Sequence, residues 1–329
     1  METSLDLSRW RETPRGVAYR RWVIISTGLK QLLRTRFFQI LIVMAWFAGF
    51  LMATLGFLFS QLVATGGWVE TLAAKAGPRA EAIASIFNGF VALYPDIVIR
   101  ALFTSIFWLH SFLGLGLSLI ALTVMVPRLI TRDRATNALT VYFSRPLTSG
   151  DYLFGKLGLI VGILALLWTG PLLFGWVLSL GFSPGRDFLV YSFLPLQRAL
   201  LFNGIALVAL AAIALGASAL GRSSRNVIVI WIGLWLILGI PAQAPNAPRW
   251  IQRLSFTHDL GQVRQSVFQL DDALEAASAQ LPLFDKRLAR KIGEAGKAAE
   301  ATDFGGALAS LALFCGLSTL VFFRRLRPE

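Results

Sequence analysis

The chain has 329 residues, of which 56% are hydrophobic and only 15% are charged, and its formal net charge is +13. This composition excludes an ordinary soluble domain and indicates a polytopic membrane protein. A bilayer requires every backbone polar group to be satisfied within the protein, so the apolar runs predict an all-α bundle of spanning helices. The single cysteine, Cys315, excludes an intramolecular disulfide and any multi-cysteine metal site.

Residues 1–36 form a basic N-terminal segment with eight basic and three acidic residues. Such an excess is typical of the cytoplasmic flanks of membrane proteins. Pro14 can occupy a first helical position. Apolar residues then recur among basic ones at Val17, Trp22, Ile25, Leu29, Leu32 and Leu33. The pattern predicts an interfacial helix on the membrane surface, and a solvated basic tail is the alternative.

Six apolar runs predict six transmembrane helices within the region 37–323. The predicted spans are 37–63, 101–126, 152–182, 199–220, 227–240 and 305–323. Pro171 is expected to kink the third span, and the fifth span is short because it stops at Pro241. Gly158 and Gly162 in the third span have the spacing of small residues that permits close helix packing.

The distribution of charge predicts that both termini lie in the cytoplasm, with a basic tail at 324–329. The segments assigned to the cytoplasm contain 18 basic and 6 acidic residues, whereas those assigned to the outside contain 13 and 12. This asymmetry follows the positive-inside rule and predicts a multi-pass protein of the cytoplasmic (inner) membrane. Anionic lipid accounts for the net positive charge, so no nucleic acid is expected as a partner.

Residues 242–304 form the longest polar segment and are predicted to be a small external helical cap. The segment begins with prolines and then becomes rich in alanine and other helix-favouring residues. His258 and Asp259 are adjacent in it, but two neighbouring residues do not make a set of metal ligands at a supported spacing. No metal site is therefore predicted.

A second polar segment, 128–156, separates the second and third spans and reads RLITRDRATNALTVYFSRPLTSGDYLFGK. Thr131 is suited to begin a short helix over 131–144, which Pro146 ends because a proline disfavours helix at the residue before it. One face of that helix carries Ala135, Leu139 and Tyr142 or Phe143. Thr148 and Asp151 have the spacing of a capping box, which starts the next helix.

This segment resembles the signature region of type-2 ABC exporter membrane subunits. The resemblance rests on Ile130, Asp133, Leu139, the run from Ser144 to Thr148, Tyr152, Gly155 and Lys156. It implies that 131–144 is a cytoplasmic coupling helix that transmits movement from a separate ATP-binding subunit. Asp133 stands where the family more often has Glu, and Ala135-Thr136-Asn137 lacks the usual Gly-Thr pair. An ordinary polar loop between two spans is the alternative.

The resemblance also implies which residues couple the chain to the ATP-binding subunit. They are Arg132, Asp133, Arg134, Leu139, Tyr142, Phe143 and Arg145. The implied partners are two ATP-binding subunits and a second copy of the permease or a related permease. The chain would then form a translocation path as a permease subunit. The alternative is an ATP-driven membrane scaffold that does mechanical or regulatory work on an envelope partner without transport.

The sequence contains one partial match to a catalytic motif. Residues 150–157 imitate a phosphate-binding loop, but Leu157 replaces the hydroxyl residue that would hold magnesium, and no strand is expected before them. The sequence contains neither a zinc-protease H-E-x-x-H motif nor a G-x-S-x-G nucleophile motif. The chain is therefore expected to have no enzyme activity and to bind no cofactor directly. ATP and magnesium are expected on the partner ATP-binding subunit.

Overall fold

The computed structural model describes residues 16–63, 67–136, 148–183, 186–221, 223–244, 247–280 and 303–325. Regular structure within these ranges is helical, which confirms the all-α prediction. The helices are α1 (Val17–Leu33), α2 (Arg36–Val63), α3 (Trp68–Ala76), α4 (Pro78–Leu93), α5 (Pro95–Leu129), α6 (Thr131–Ala135), α7 (Ser149–Leu167), α8 (Thr169–Gly181), α9 (Asp187–Leu220), α10 (Ser224–Ile232), α11 (Gly239–Ala242), α12 (Arg249–Arg253), α13 (Phe256–Phe268), α14 (Leu270–Gln280) and α15 (Phe304–Arg325). A π-helical turn, Gly233–Ile237, joins α10 to α11.

Six helical segments of the described chain are long and apolar enough to cross a bilayer, which confirms the predicted number of spans. They are Arg36–Gln61, Pro95–Leu129, Ser149–Gly181, Asp187–Leu220, Ser224–Ala242 and Phe304–Arg325. The third span consists of α7 and α8, and the fifth runs from α10 through the π-helical turn to α11. The protein is thus a multi-pass helical membrane protein.

Two prolines shape the third and fifth spans. Helix α7 ends at Leu167, and α8 begins two residues later. Pro171 has no N–H to donate to the carbonyl of Leu167, and the helix is interrupted on the N-terminal side of the proline, where a kink is expected. In the fifth span the π-helical turn lies just before Pro241, and the N–H of Leu238 donates to the carbonyl of Gly233 at 3.2 Å. The fifth span is longer than predicted because helix continues on both sides of this turn.

Helix α9 forms the centre of the bundle. In the most apolar stretch of α9, 72% of the residues are buried, compared with 17% in that of α15. Helix α9 is therefore enclosed by protein, whereas α15 largely faces outward. Helices α5 and α15 pack along it. A Cβ atom added at Gly216 of α9 would lie 2.6 Å from Cβ of Ser318 in α15, so a glycine is required for this approach.

Small residues also bring α2 and α8 into close backbone contact. A Cβ atom added at Gly175 would lie 2.7 Å from the carbonyl oxygen of Gly49, and one added at Gly49 would lie 2.6 Å from the carbonyl oxygen of Pro171. Backbone atoms of a helix cannot move away from an added side chain as the end of a flexible side chain can. The crossing of α2 and α8 therefore depends on the absence of side chains at these positions.

We expect Gly175→Leu to lower the free energy of unfolding by about 1 to 3 kcal/mol, because the added side chain forces α2 away from α8. Thermal unfolding of the purified protein, followed by loss of its helical circular dichroism, would measure the effect.

Two glycines of the same span provide matched controls. At Gly162 no described atom lies within 4 Å of an added Cβ, so Gly162→Leu should change the unfolding temperature little. At Gly158 the obstacle is Cδ1 of Ile25, 2.5 Å away, and that side-chain tip can move. Equal destabilisation by all three substitutions would contradict a specific role of the α2–α8 crossing.

Helix α13 lies inside the bundle. The ring of Phe256 packs against Trp231 of the fifth span at 6.1 Å and against Phe314 of the sixth at 6.5 Å, and Phe268 packs against Phe202 of α9 at 5.8 Å. The preceding turn is buried at Ser255, whose Oγ accepts a hydrogen bond from the backbone N–H of His258. Irregular backbone among spanning helices is tolerated where protein surrounds it. The external location of 242–304 stays a prediction.

Candidate functional site

The polar segment between the second and third spans is described at both of its ends. Helix α5 leads into the short helix α6, and α7 begins after Thr148. Of the residues predicted to couple the chain to a partner, Asp133 and Arg134 have described side chains. Arg132 belongs to α6, but its side chain lies outside the described part. Leu139, Tyr142, Phe143 and Arg145 also lie outside the described residues.

Asp133 connects α6 to α7. Its Oδ2 lies 2.7 Å from Nζ of Lys156 and accepts a hydrogen bond of 2.7 Å from the hydroxyl of Tyr152. The Asp133 and Lys156 side chains are 15% and 12% exposed, so solvent screens this pair far less than a surface pair. The Tyr152 ring is buried and stacks on Phe322 of α15 at 6.1 Å. A single carboxylate thus fixes the start of α6 against the third span.

Arg134 connects α6 to the ends of two other spans. Its Nη1 donates to the backbone carbonyls of Ala219 at 3.4 Å and Gly221 at 3.3 Å, where α9 ends. Its Nη2 donates to the carbonyl of Arg325, the last residue of α15, at 3.2 Å. The last carbonyls of a helix lack partners within it and carry its partial negative charge, so a guanidinium stabilises both ends.

Burial lowers the pKa of the Arg134 guanidinium from its ordinary value. Tyr152 opposes this effect, and the nearby Arg325 adds to it. Arginine remains charged at physiological pH despite such a shift. The three bonds to carbonyl oxygens are therefore charge-assisted.

The start of α6 is held by hydroxyl groups from three helices. Oγ of Ser218 in α9 accepts the backbone N–H of Ile130 at 3.2 Å. Oγ of Ser224 in α10 donates to the carbonyl of Pro127 in α5 at 3.1 Å, and the hydroxyl of Thr131 donates to the same carbonyl. Oγ1 of Thr131 also lies 3.4 Å from Oγ of Ser224, so these bonds and the contacts of Asp133 and Arg134 join α6 to α5, α7, α9, α10 and α15.

Helix α1 packs along α7 near the same site. Arg21 donates to Oδ1 of Asp151 through Nη2 at 2.6 Å and Nε at 2.9 Å. Asp151 also forms the predicted capping box with Thr148, because its carboxylate accepts the N–H of Thr148 while its own N–H donates to Oγ1 of that residue at 3.1 Å. Gly158 of α7 lies against Ile25 of α1. One carboxylate therefore both starts the third span and holds the N-terminal helix.

A cavity of about 460 Å³ opens beside this site between α1, α2, α5 and α7. Phe38 and Met125 contribute apolar wall, whereas Arg128, Asp133 and Lys156 contribute charge. The volume falls in the usual range for small-molecule sites. The Asp133–Lys156 pair on its wall already has mutual partners, so among the described residues that line the cavity Arg128 carries the charge without an ion-pair partner.

Some residues of this site could not be found from the sequence. Arg21 and Asp151 are separated by 130 positions, and Arg134 and Arg325 by 191, so no local spacing relates them. Ser218 and Ser224 resemble ordinary small residues of helix ends. The capping box is the part with a local signal, because its two residues are three positions apart.

Within the described ranges there is no group of three or more metal-binding side chains. The carboxylate of Asp259, beside His258, pairs with Nη1 of Arg253 at 3.0 Å. Residues 150–157, which imitate a phosphate loop, lie within α7 as regular helix.

The chain was also compared with known proteins. No protein-family model matches it, and neither does any curated protein.

Proposed function

We propose that the chain is the membrane-spanning permease subunit of an ABC exporter, driven by ATP hydrolysis on a separate subunit. The observation that carries the proposal is the position of α6, a polar helix that follows the second span and is bonded to five neighbouring helices. It is supported by the six spans and by the resemblance of 128–156 to the family's coupling region. The proposed partners are two ATP-binding subunits and a second permease.

The contacts of α6 suggest how movement would reach the spans. A displacement of the docked segment would pull on Asp133 and hence on α7, the first half of the third span. The same displacement would pull on Arg134 and hence on the ends of α9 and α15. Coupling of this kind requires rigid elements linked by contacts that can break and re-form, and ion pairs and hydrogen bonds at helix ends provide them.

The test uses Leu139→Asp combined with Phe143→Ser. We propose that these residues form the apolar surface that docks on the ATP-binding subunit, so the double variant places a charge in that contact. Interface energy is concentrated in a few buried anchors, and we expect a loss of about 2 kcal/mol or more per anchor. The variant should insert normally but lose co-purification of the ATPase or stimulation of ATP hydrolysis.

The matched control is Leu139→Met with Phe143→Tyr, which retains apolar bulk and should retain the ATPase. Normal insertion, normal ATPase binding and normal activity of the Asp/Ser variant would refute the coupling role. Reconstituted vesicles then distinguish the two ATP-driven functions. ATP-dependent accumulation of a compound supports transport, whereas ATPase stimulation without accumulation of any compound supports the scaffold alternative.

A further inference from the structure

A second cavity, of about 580 Å³, lies between the second span, the end of the fifth span and α13. It is separate from the α6 site, because none of its lining residues belongs to the cavity beside α6. One wall is apolar and aromatic and includes Trp108, Phe112, Leu115 and Trp235. The opposite wall is α13, which contributes polar side chains.

Arg264 of α13 brings a positive charge into this cavity. Its guanidinium carbon lies 3.3 Å from the centroid of the Phe112 ring and 5.6 Å from that of Trp108. None of the ion pairs found in the described part of the chain involves Arg264, and its buried Nε has no hydrogen-bond partner there. Burial lowers the pKa of Arg264 to about 10, which still leaves the side chain charged at neutral pH.

The aromatic rings compensate only part of the cost of this placement. The attraction of a cation to an aromatic face is weaker than the free-energy cost of removing a charge from water when no counter-ion is present. The site would therefore be stabilised by an anion that accepts hydrogen bonds from the guanidinium.

Two more polar atoms on the same wall also lack partners. Nδ1 of His258 and Oε1 of Gln262 are buried without a hydrogen bond in the described structure, and both residues line the cavity. Burial, followed by the charge of Arg253, lowers the pKa of His258, so its imidazole is neutral at physiological pH. Oε1 of Gln262 can accept a hydrogen bond from a headgroup hydroxyl, and a neutral imidazole can donate to a headgroup oxygen through its protonated nitrogen or accept from a hydroxyl through the other.

We propose that this cavity binds an amphiphile with an anionic headgroup, which pairs with Arg264 while its apolar tail lies along Trp108, Leu115 and Trp235. A cationic ligand is disfavoured by repulsion from Arg264. A neutral apolar ligand would leave the guanidinium unpaired. The anionic group can belong to a phospholipid or to a soluble amphiphile, since both have this chemistry. The proposal does not rest on the proposed transport function.

Binding can be measured with lysophosphatidylglycerol and lysophosphatidylcholine that contain the same dibrominated acyl chain, added to the purified chain in nanodiscs of zwitterionic lipid. Bromine quenches tryptophan fluorescence on contact, and Trp108 and Trp235 line the cavity. We expect saturable quenching by the anionic lipid at a concentration about tenfold or more below that needed for the zwitterionic one. Trp108→Phe and Trp235→Phe should each reduce the saturable component.

Arg264→Gln should raise the half-saturating concentration of the anionic lipid about tenfold or more. Arg249→Gln, at an exposed arginine outside the cavity, should leave it unchanged. Leu115→Trp, which fills the cavity while keeping Arg264, should abolish saturable quenching. Dodecyl phosphate should compete if soluble amphiphiles also bind. The proposal would be overturned if both lipids quenched equally or if Arg264→Gln left binding unchanged. It would also be overturned if inorganic phosphate, which has no apolar tail, displaced the lipid.

Discussion

Replacement of Arg253 by methionine is expected to lower the free energy of unfolding by about 3 kcal/mol or more, because it leaves the carboxylate of Asp259 buried without its counter-ion. The Asp259 side chain is fully buried, and Nη1 of Arg253 lies 3.0 Å from its Oδ1. Nη2 of the same arginine lies 2.6 Å from Oδ2 of Asp303, just before α15. One side chain thus joins α13 to the start of the sixth span.

The pH dependence of Arg253→Met provides a second measurement. Burial raises the pKa of Asp259, whereas Ser310 and Arg253 act against this rise. Without Arg253 the folded-state pKa should rise further above the unfolded value of about 3.9. A raised folded pKa means that stability is lost as the pH rises through it. The stability deficit of the variant should therefore be large at neutral pH and shrink in acid, as Asp259 takes up a proton.

The double variant Arg253→Met, Asp259→Leu shows whether stability is lost because Asp259 has no counter-ion or because packing around Arg253 is lost. Replacement of a whole buried pair by apolar residues is often nearly neutral, so the double variant should recover most of the stability. Arg249→Met, at an exposed position four residues earlier, is the control for the loss of a positive charge. Failure of the double variant to recover stability would show that the Arg253 stem or the Asp303 contact carries the effect.

The spans could be predicted from the sequence because the bilayer imposes one simple rule on each of them. A run of apolar residues long enough to cross must be helical, whatever its neighbours are. The position of the interruption near Pro171 also follows from the sequence, because a proline disturbs the helix at the carbonyl four residues before it. Helix α9 begins at Asp187 rather than near residue 199 because Phe188 and Ser192 are buried in the bundle, and burial is not visible in a hydropathy pattern.

The placement of α13 illustrates what local patterns leave out. Its residues have a mixed composition, with Asp259 and Arg264 among apolar ones, and this is typical of a surface helix. The structure nevertheless buries Phe256, Leu260 and Val263 among spanning helices. The polar residues are accommodated because Asp259 has a charged partner and Arg264 faces a cavity. Such partners come from distant parts of the chain.

The polar segment of the candidate site is visible in the sequence, but the contacts of its residues are not. The polar break at 128–156 and the capping box at Thr148 are local signals, and both indicate where the chain leaves the apolar region. Asp133 and Lys156 lie on either side of the segment between α6 and α7. Arg134 and Arg325 are 191 positions apart in the sequence. These contacts depend on how the bundle closes, which no spacing rule specifies.

Replacement of Arg134 by glutamine is expected to separate docking from coupling. The shorter amide cannot reach carbonyls at the ends of both α9 and α15, so up to three charge-assisted hydrogen bonds are lost. A hydrogen bond to a charged group contributes about 1.5 to 3 kcal/mol, and we expect a total loss of about 3 kcal/mol because water re-solvates part of the site. Hydrogen exchange should quicken in the last turns of α9 and α15 and remain unchanged in α2.

The functional consequence follows because Arg134 is not among the residues of the apolar face predicted to include Leu139 and Phe143. If that face docks on the ATP-binding subunit, Arg134→Gln should retain the ATPase while ATP hydrolysis no longer responds to the permease. Arg134→Lys, which keeps the charge but lacks the fork of donors, should show an intermediate loss. Arg225→Gln, at an exposed arginine near the start of the fifth span, is the matched control and should behave as the unmodified chain. Unchanged coupling in Arg134→Gln, together with faster exchange at both helix ends, would show that α9 and α15 take no part in transmitting movement from α6.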